Sequence, residues 1–184
     1  MKTLSGFILT KVLGWKIKGD FPDVHKSIII FAPHTSYYDA LYGKLLLNEI
    51  GIKHTFLSKK ELFFFPLNIA MKLFGSIPVH FANNKNVIYQ ILEILESSTE
   101  IHIVISPEGT RAKVTHWNKG FFYLASKTNI PIIVGYIDYK SKEIGFKGVF
   151  KNLNSAEKVM QSINLMYKNV SAKYPQNFSL EIED

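Results

Sequence analysis

Cysteine is absent from the 184 residues of this chain, and arginine occurs only once, as Arg111, among 22 basic side chains. The missing cysteine excludes disulfides, thiolate-bound metals and a thiol nucleophile. No apolar run approaches the roughly 18 to 20 residues that cross a bilayer. A Walker-type phosphate loop, a dinucleotide-binding glycine motif and a nucleophile elbow are also missing. The six histidines show no metal-ligand spacing, so we expect no metal and no cofactor.

Positive charge is in excess. The 22 basic and 15 acidic side chains give a net charge of +7, which favours anionic partners such as nucleic acid, anionic lipid headgroups or phosphorylated substrates. The lysines are dispersed and no nucleic-acid-binding motif is present. We therefore expect no nucleic-acid partner and keep a nucleic-acid-binding module only as an alternative.

Short β-branched runs alternate with helical periodicities along the chain. This alternation predicts an α/β fold, with one domain over residues 1–184 and a mostly parallel mixed sheet flanked by helices. Predicted strands are 27–32, 54–57, 76–81, 101–105 and 132–137, with a hairpin around 140–147. Predicted helices are an amphipathic one over 4–15 and others over 36–49, 84–96, 119–128 and from 154 onward. A further helix is predicted to open with a capping box at 58–61 and to break near Pro66.

Two polar segments, 33–39 and 106–111, come directly after predicted strands. The carboxyl ends of parallel strands meet at one edge of a sheet, and ligands bind beyond that edge. The topology therefore predicts that these segments share one cleft.

The first segment contains a histidine and a carboxylate at the start of a predicted helix. Asp39 is placed to accept a bond from one imidazole nitrogen of His34, which leaves the other nitrogen free to accept a proton from a hydroxyl. This predicts a catalytic pair without a protein nucleophile. The alternative is that Ser36 and Asp39 form a capping box, so that Asp39 only caps the helix.

The second segment holds the only arginine. Arginine presents a planar fork that binds phosphate or carboxylate through two bonds, whereas lysine is a point charge. Gly109 allows a tight backbone near a ligand, and Thr110 adds a hydroxyl. The segment therefore predicts an anion site, with the alternative of a surface turn in which Glu108 and Arg111 pair only with each other.

In these motifs the chain resembles the glycerolipid acyltransferase family, which includes the 1-acylglycerol-3-phosphate acyltransferases. The family's first block, His followed by four residues and Asp, is matched by His34 and Asp39. Its Phe-Pro-Glu-Gly-Thr-Arg block is matched over 107–111, with Ser106 in place of the Phe. Its Ile-Pro-Ile-Val strand is matched over 130–134.

The resemblance implies a mixed α/β sheet flanked by helices and an O-acyltransferase of membrane lipid synthesis. It implies that His34 is the general base on the acceptor hydroxyl and that Asp39 orients it. The hydroxyl then attacks an acyl thioester of CoA or acyl carrier protein directly. The implied substrate-binding residues are Glu108, Gly109, Thr110 and Arg111 for the acceptor and Pro131 on the donor side.

The second family block, Gly-x-Ile-x-Val-Asp-Arg, is altered in this chain. Residues 75–81 read Gly-Ser-Ile-Pro-Val-His-Phe, so His80 and Phe81 replace the acid and the arginine. That arginine generally helps to bind the acceptor phosphate in the family. Its loss favours an aminolipid, or another acceptor without a terminal phosphate, unless Lys85 compensates with a different geometry.

Attachment to a membrane is predicted to be peripheral, on the cytoplasmic face. The predicted contacts are the helix 4–15 and the segment 62–65, with lysines assisting on an anionic leaflet. The alternative for the phenylalanines of that segment is burial in the core. Two alternatives to acyl transfer also remain, namely a thioesterase in which the same pair activates water, and a non-catalytic lipid-binding relative.

Overall fold

Seven strands form one mixed sheet in the computed structural model of the protein, which describes residues 3–80 and 84–180 without the side chains of 84–86. The spatial order is β1-β7-β6-β2-β5-β3-β4. Every neighbouring pair is parallel except β6 and β7. The mostly parallel α/β fold predicted from the sequence is confirmed. The strands are β1 Lys16–Lys18, β2 Lys26–Ala32, β3 His54–Lys59, β4 Ser76–Val79, β5 Ile101–Ile105, β6 Ile132–Asp138 and β7 Glu143–Phe150.

Helices cover both faces of the sheet. One face carries α4, α5 and α6 over a buried cluster that includes Ile91, Phe121 and Ile163, and the other carries α1 and α2 over a cluster that includes Leu9 and Leu46. The helices are α1 Leu4–Phe7 with a π-helical turn Ile8–Val12, α2 Tyr37–Ile50, α3 Leu67–Phe74, α4 Asn84–Ser97, α5 Gly120–Thr128 and α6 Ala156–Tyr167, with 3-10 turns at Lys60–Leu62 and Pro175–Asn177.

The central strand β2 is buried on both faces, because helices cover the sheet on each side. Its run of β-branched residues suits this position, since a strand of a covered parallel sheet needs apolar side chains on both faces. β2 lies between β5 and β6, while α2 leads away to β3. The connection after the neighbouring strand β5 leads the opposite way, to β6. The strand order therefore switches at the carboxyl ends of β2 and β5, which is where ligands bind in sheets of this type.

Three local predictions need correction. The helix predicted to start at Ser58 is wrong, because pairing of Lys59 with Val79 keeps the chain extended and only a 3-10 turn follows. The hairpin predicted at 140–147 is instead formed by β6 and β7. The N-terminal helix ends at Val12 rather than 15. The strand predicted over 76–81 is described as far as Val79, and Phe81 lies outside the described residues.

A serine and a histidine pair inside the sheet, at the edge opposite to the polar segments. Ser27 of β2 and His102 of β5 are register partners, and Ser27 Oγ lies 2.8 Å from His102 Nδ1. His102 is 1% exposed. Burial lowers the pKa of His102 to about 4, against a smaller opposing effect of Glu100. His102 is therefore neutral in the folded protein at neutral pH.

This burial predicts acid-sensitive stability. Between about pH 6.5 and pH 4 the unfolded chain binds a proton at His102 that the native chain does not, so the free energy of unfolding falls as the pH falls. Between pH 7.5 and pH 5 we expect wild type to lose about 2 kcal/mol more than His102→Gln in urea unfolding. The exposed His116→Gln serves as the control and should behave like wild type. Equal pH dependence of His102→Gln and wild type would contradict the prediction.

Candidate active site

His34 and Asp39 lie together at the carboxyl end of β2. His34 follows the strand, and Asp39 sits in the first turn of α2. His34 Nδ1 is 3.8 Å from Asp39 Oδ2, with side-chain exposures of 25% and 3%. The histidine therefore remains accessible, while the carboxylate behind it is buried.

The Asp39 carboxylate is held by three donors. Its Oδ2 accepts hydrogen bonds from the amides of Thr35 and Ser36, at 2.6 and 2.7 Å, and its Oδ1 accepts one from the hydroxyl of Tyr139. The Ser36 hydroxyl accepts from the amide of Tyr38 and completes a capping box. Asp39 therefore caps α2 and faces His34 at the same time, so the two readings of this motif are compatible.

The environment of His34 keeps its imidazole neutral. Burial lowers the pKa of His34, the charge of Asp39 opposes this effect, and the guanidinium of Arg111 adds to the lowering. Within the described ranges, neither ring nitrogen of His34 has a hydrogen-bond partner. The ring is therefore free to accept a proton from a group that enters the site.

Glu108 supports the backbone of His34. It is buried, its Oε1 accepts from the His34 amide at 2.8 Å, and its Oε2 accepts from the Ser106 hydroxyl at 2.7 Å. Burial raises the pKa of Glu108 to about 7, the charge of Asp39 adds to this rise, and the hydrogen bonds to the carboxylate oppose it. Both carboxylate oxygens are thus engaged within the protein. The structure places this predicted substrate-binding side chain where it joins the loop after β5 to the loop after β2.

Gly109, Thr110 and Arg111 form the outer part of the site. Gly109 has a φ of 65°, which favours glycine, and both it and Thr110 are exposed. The guanidinium carbon of Arg111 lies 3.6 Å from the ring centroid of Tyr37. Arg111 Nη1 is buried without a hydrogen-bond partner, and Glu108 and Arg111 form no ion pair with each other. The predicted alternative, a closed pair of Glu108 and Arg111, is therefore not formed.

One predicted site residue is not brought to this edge, and for a second the side chain is outside the described residues. Pro131 precedes β6, and its carbonyl accepts from the amide of Ile28 at the amino end of the sheet. It is separated from the dyad by the seven-residue strand β6, roughly 23 Å. Lys85 lies in the first turn of α4, and its side chain is outside the described residues.

A cavity of about 480 Å³ also lies away from the dyad. It is lined by Ser126, Asn129 and residues 151–154, at the end of α5 and just after β7. Because β7 runs antiparallel to β6, this position is at the edge of the sheet opposite to His34. In the described residues there is also no group of three His, Asp or Glu side chains that would hold a metal ion.

Sequence reasoning missed the contribution of the C-terminal segment and of Tyr139. The segment after α6 returns to the site, where the Ser171 carbonyl accepts from the Tyr139 amide at 2.9 Å and the Thr35 hydroxyl accepts from the Tyr174 amide at 3.2 Å. It brings the Lys173 ammonium to 3.5 Å from the ring centroid of Tyr38. Tyr139 lies two residues after the strand predicted over 132–137, so the rule that selected 33–39 and 106–111 also applies to it.

Comparison with known proteins identifies the family. The chain matches the family model described as Acyltransferase over residues 16–137, which is more than half of its length. The chain belongs to the acyltransferase family. This family comprises the glycerolipid and lysophospholipid acyltransferases, so the resemblance noted in the sequence is confirmed. No curated protein and no solved structure matches this acyltransferase. Tyr139 and the segment 171–174 lie beyond the matched range.

Proposed function

We propose that this acyltransferase transfers a fatty acyl group from an acyl thioester to a hydroxyl of a lyso-lipid, with His34 as the general base. The observation that carries the proposal is an accessible, neutral imidazole backed by the Asp39 carboxylate, with the unpaired guanidinium edge of Arg111 at the same end of the sheet. The thioester donor is acyl-CoA or acyl carrier protein, as the resemblance implies.

The chemistry needs no covalent intermediate on the protein. His34 accepts the proton of the acceptor hydroxyl while the oxygen attacks the thioester carbonyl. The carbon–sulfur bond then breaks, and the imidazolium returns the proton to the departing thiolate. Asp39 stabilises the imidazolium between these steps, as a carboxylate does in hydrolytic triads. Because Asp39 Oδ2 lies nearest Nδ1, we assign proton transfer to Nε2.

Arg111 is proposed to bind an anionic group of the acceptor. Stacking on Tyr37 fixes the plane of the guanidinium, and its buried Nη1 lacks a partner. A buried donor without a partner is costly, so a ligand that fills it gains from that contact. Because His80 and Phe81 replace the acid and arginine of the second family block, we infer an acceptor other than simple lysophosphatidate.

We further propose that the protein lies on an anionic membrane surface, at the cytoplasmic face, without crossing the membrane. No helix among the described residues has the length and apolarity to span a bilayer. Phe64 and Phe65 are exposed, the latter at 79%, and so is Leu73 of α3 at 79%. Exposed lysines 59, 60 and 72 lie among them, which favours an anionic leaflet.

The position of this apolar surface relative to the dyad supports the same proposal. The segment 60–66 follows β3, and β3 runs parallel to β2 within the sheet. Phe64 and Phe65 therefore lie at the edge of the sheet that carries His34. Contact of this edge with a bilayer would set the open site against its lipid substrates.

The first prediction from the proposed function concerns His34. The purified protein is given an isotope-labelled acyl thioester and a panel of lyso-lipids, and products are identified by mass spectrometry. His34→Ala should lower kcat/KM for acyl transfer by about 100- to 10,000-fold, the usual contribution of a general base. His116→Ala is the control and should leave the rate unchanged. Full activity of His34→Ala would contradict the proposed mechanism. Labelled free fatty acid as the only product would instead identify a thioesterase.

The second prediction concerns Arg111. Arg111→Lys keeps the charge but loses the planar fork and its stacking on Tyr37, so the KM for the acceptor should rise about tenfold with little change in kcat. Lys113→Arg, an equally conservative exchange at an exposed neighbouring position, is the control. An unchanged KM in Arg111→Lys would remove the proposed anion contact.

The third prediction concerns membrane contact. Replacing both Phe64 and Phe65 with Ser should reduce binding to phosphatidylcholine–phosphatidylglycerol vesicles at least tenfold in a flotation assay, since burying one such side chain contributes about 1.5 to 3 kcal/mol. Stability should change little because both side chains are exposed. Leu165→Ser, at a 71% exposed leucine of α6, is the control. Undiminished vesicle binding of the double variant would refute this surface.

A further inference from the structure

Tyr139 approaches the dyad from a part of the chain that the family match does not cover. It follows β6 directly, and its hydroxyl donates to Asp39 Oδ1. Its amide donates to the Ser171 carbonyl. Its ring packs against those of Trp15 and Tyr42, with centroids 5.2 and 6.1 Å away. Backbone and ring are both held, so the direction of the hydroxyl is fixed by the fold.

The two oxygens of Asp39 have different partners. Oδ2 accepts the amides of Thr35 and Ser36 and is the oxygen nearest His34, whereas Oδ1 accepts the hydroxyl of Tyr139. The distance of 3.8 Å from His34 Nδ1 to Oδ2 exceeds that of a hydrogen bond. Three donors therefore partly offset the negative charge of Asp39, which weakens the effect of this charge on the imidazole of His34.

We propose that Tyr139 is a positioning residue of this acyltransferase. By holding Oδ1 it fixes the rotation of the carboxylate behind His34 and limits how strongly that carboxylate stabilises the imidazolium. The kinetic consequence rests on the proposed function, whereas the contact itself involves no substrate.

The electrostatic surroundings favour this role. Burial raises the pKa of Tyr139 well above its usual value, and the hydrogen bond and charge of Asp39 add to the rise. The phenol therefore remains a donor at any pH at which the enzyme is assayed. The imidazole of His34 faces Asp39, which belongs to α2. Tyr139 faces residues of α2 and of the C-terminal segment. The other charged or titratable side chains that face His34, Asp39 or Tyr139 are Tyr42, Glu108, Arg111 and Tyr174.

Tyr139→Phe tests the proposal, because it keeps the ring and removes only the donor. Asp39 Oδ1 then loses a partner, its charge acts more strongly on His34, and the pKa of His34 rises. NMR titration of labelled histidine measures this rise without any substrate. In kinetics the acid limb of kcat/KM should move to higher pH, with a rate roughly three- to tenfold lower than wild type on that limb and close to wild type at alkaline pH. Tyr42→Phe, in the same ring cluster, should shift neither curve.

The result that overturns the proposal is an unchanged or lowered pKa of His34 in folded Tyr139→Phe. If that variant does not fold, 3-fluorotyrosine at position 139 keeps the ring and offers a more acidic hydroxyl. It should strengthen the bond to Asp39 and lower the pKa of His34, and an unchanged pKa again overturns the proposal. Activity retained by His34→Ala would defeat the proposed function instead, while the NMR titration would still report on Tyr139.

Discussion

The buried carboxylate of Asp39 is the group on which the arrangement of the site depends. An ionised carboxylate removed from water is costly unless it is fully hydrogen-bonded. Here two backbone amides and one phenol satisfy it, and a hydrogen bond to a charged group contributes about 1.5 to 3 kcal/mol. The amides belong to the loop after β2 and the phenol follows β6, so one side chain joins two neighbouring strands to the start of α2. The same contacts therefore cap the helix and hold the carboxylate beside His34.

Much of the fold was accessible from the sequence because its strongest signals are local. The β-branched run of β2 and the alternation of strands with helices depend on residues near each other in the chain. The rule that ligands bind beyond the carboxyl ends of strands then brought His34 and Arg111 to one edge. The extension of β3 to Lys59 could not be predicted, because it depends on pairing with Val79, a residue distant in the sequence.

The roles of three site residues depend on tertiary contacts and could not be predicted. A glutamate beside a glycine in a loop is usually exposed, yet the fold turns Glu108 inward to the amide of His34. In the sequence, Tyr139 resembles an ordinary core aromatic, and only the tertiary structure shows that its hydroxyl donates to Asp39. Lys173 is far from Tyr38 in sequence and contacts its ring only because the chain after α6 returns to this edge.

The family match and the chain-specific contacts divide the site into two parts. The matched range contains His34, Asp39 and the loop with Arg111, which are the parts assigned to proton transfer and anion binding. Tyr139 and the segment 171–174 lie outside it and complete the site on the side of β6.

The stacking of Arg111 on Tyr37 has a geometric consequence for any incoming substrate. One flat side of the guanidinium is covered by an aromatic ring at van der Waals separation, so that side is closed. Its nitrogen–hydrogen bonds all point outward in the plane of the group. Under the proposed function, an anionic group of the acceptor would consequently arrive edge-on, within a thin sector beside the ring.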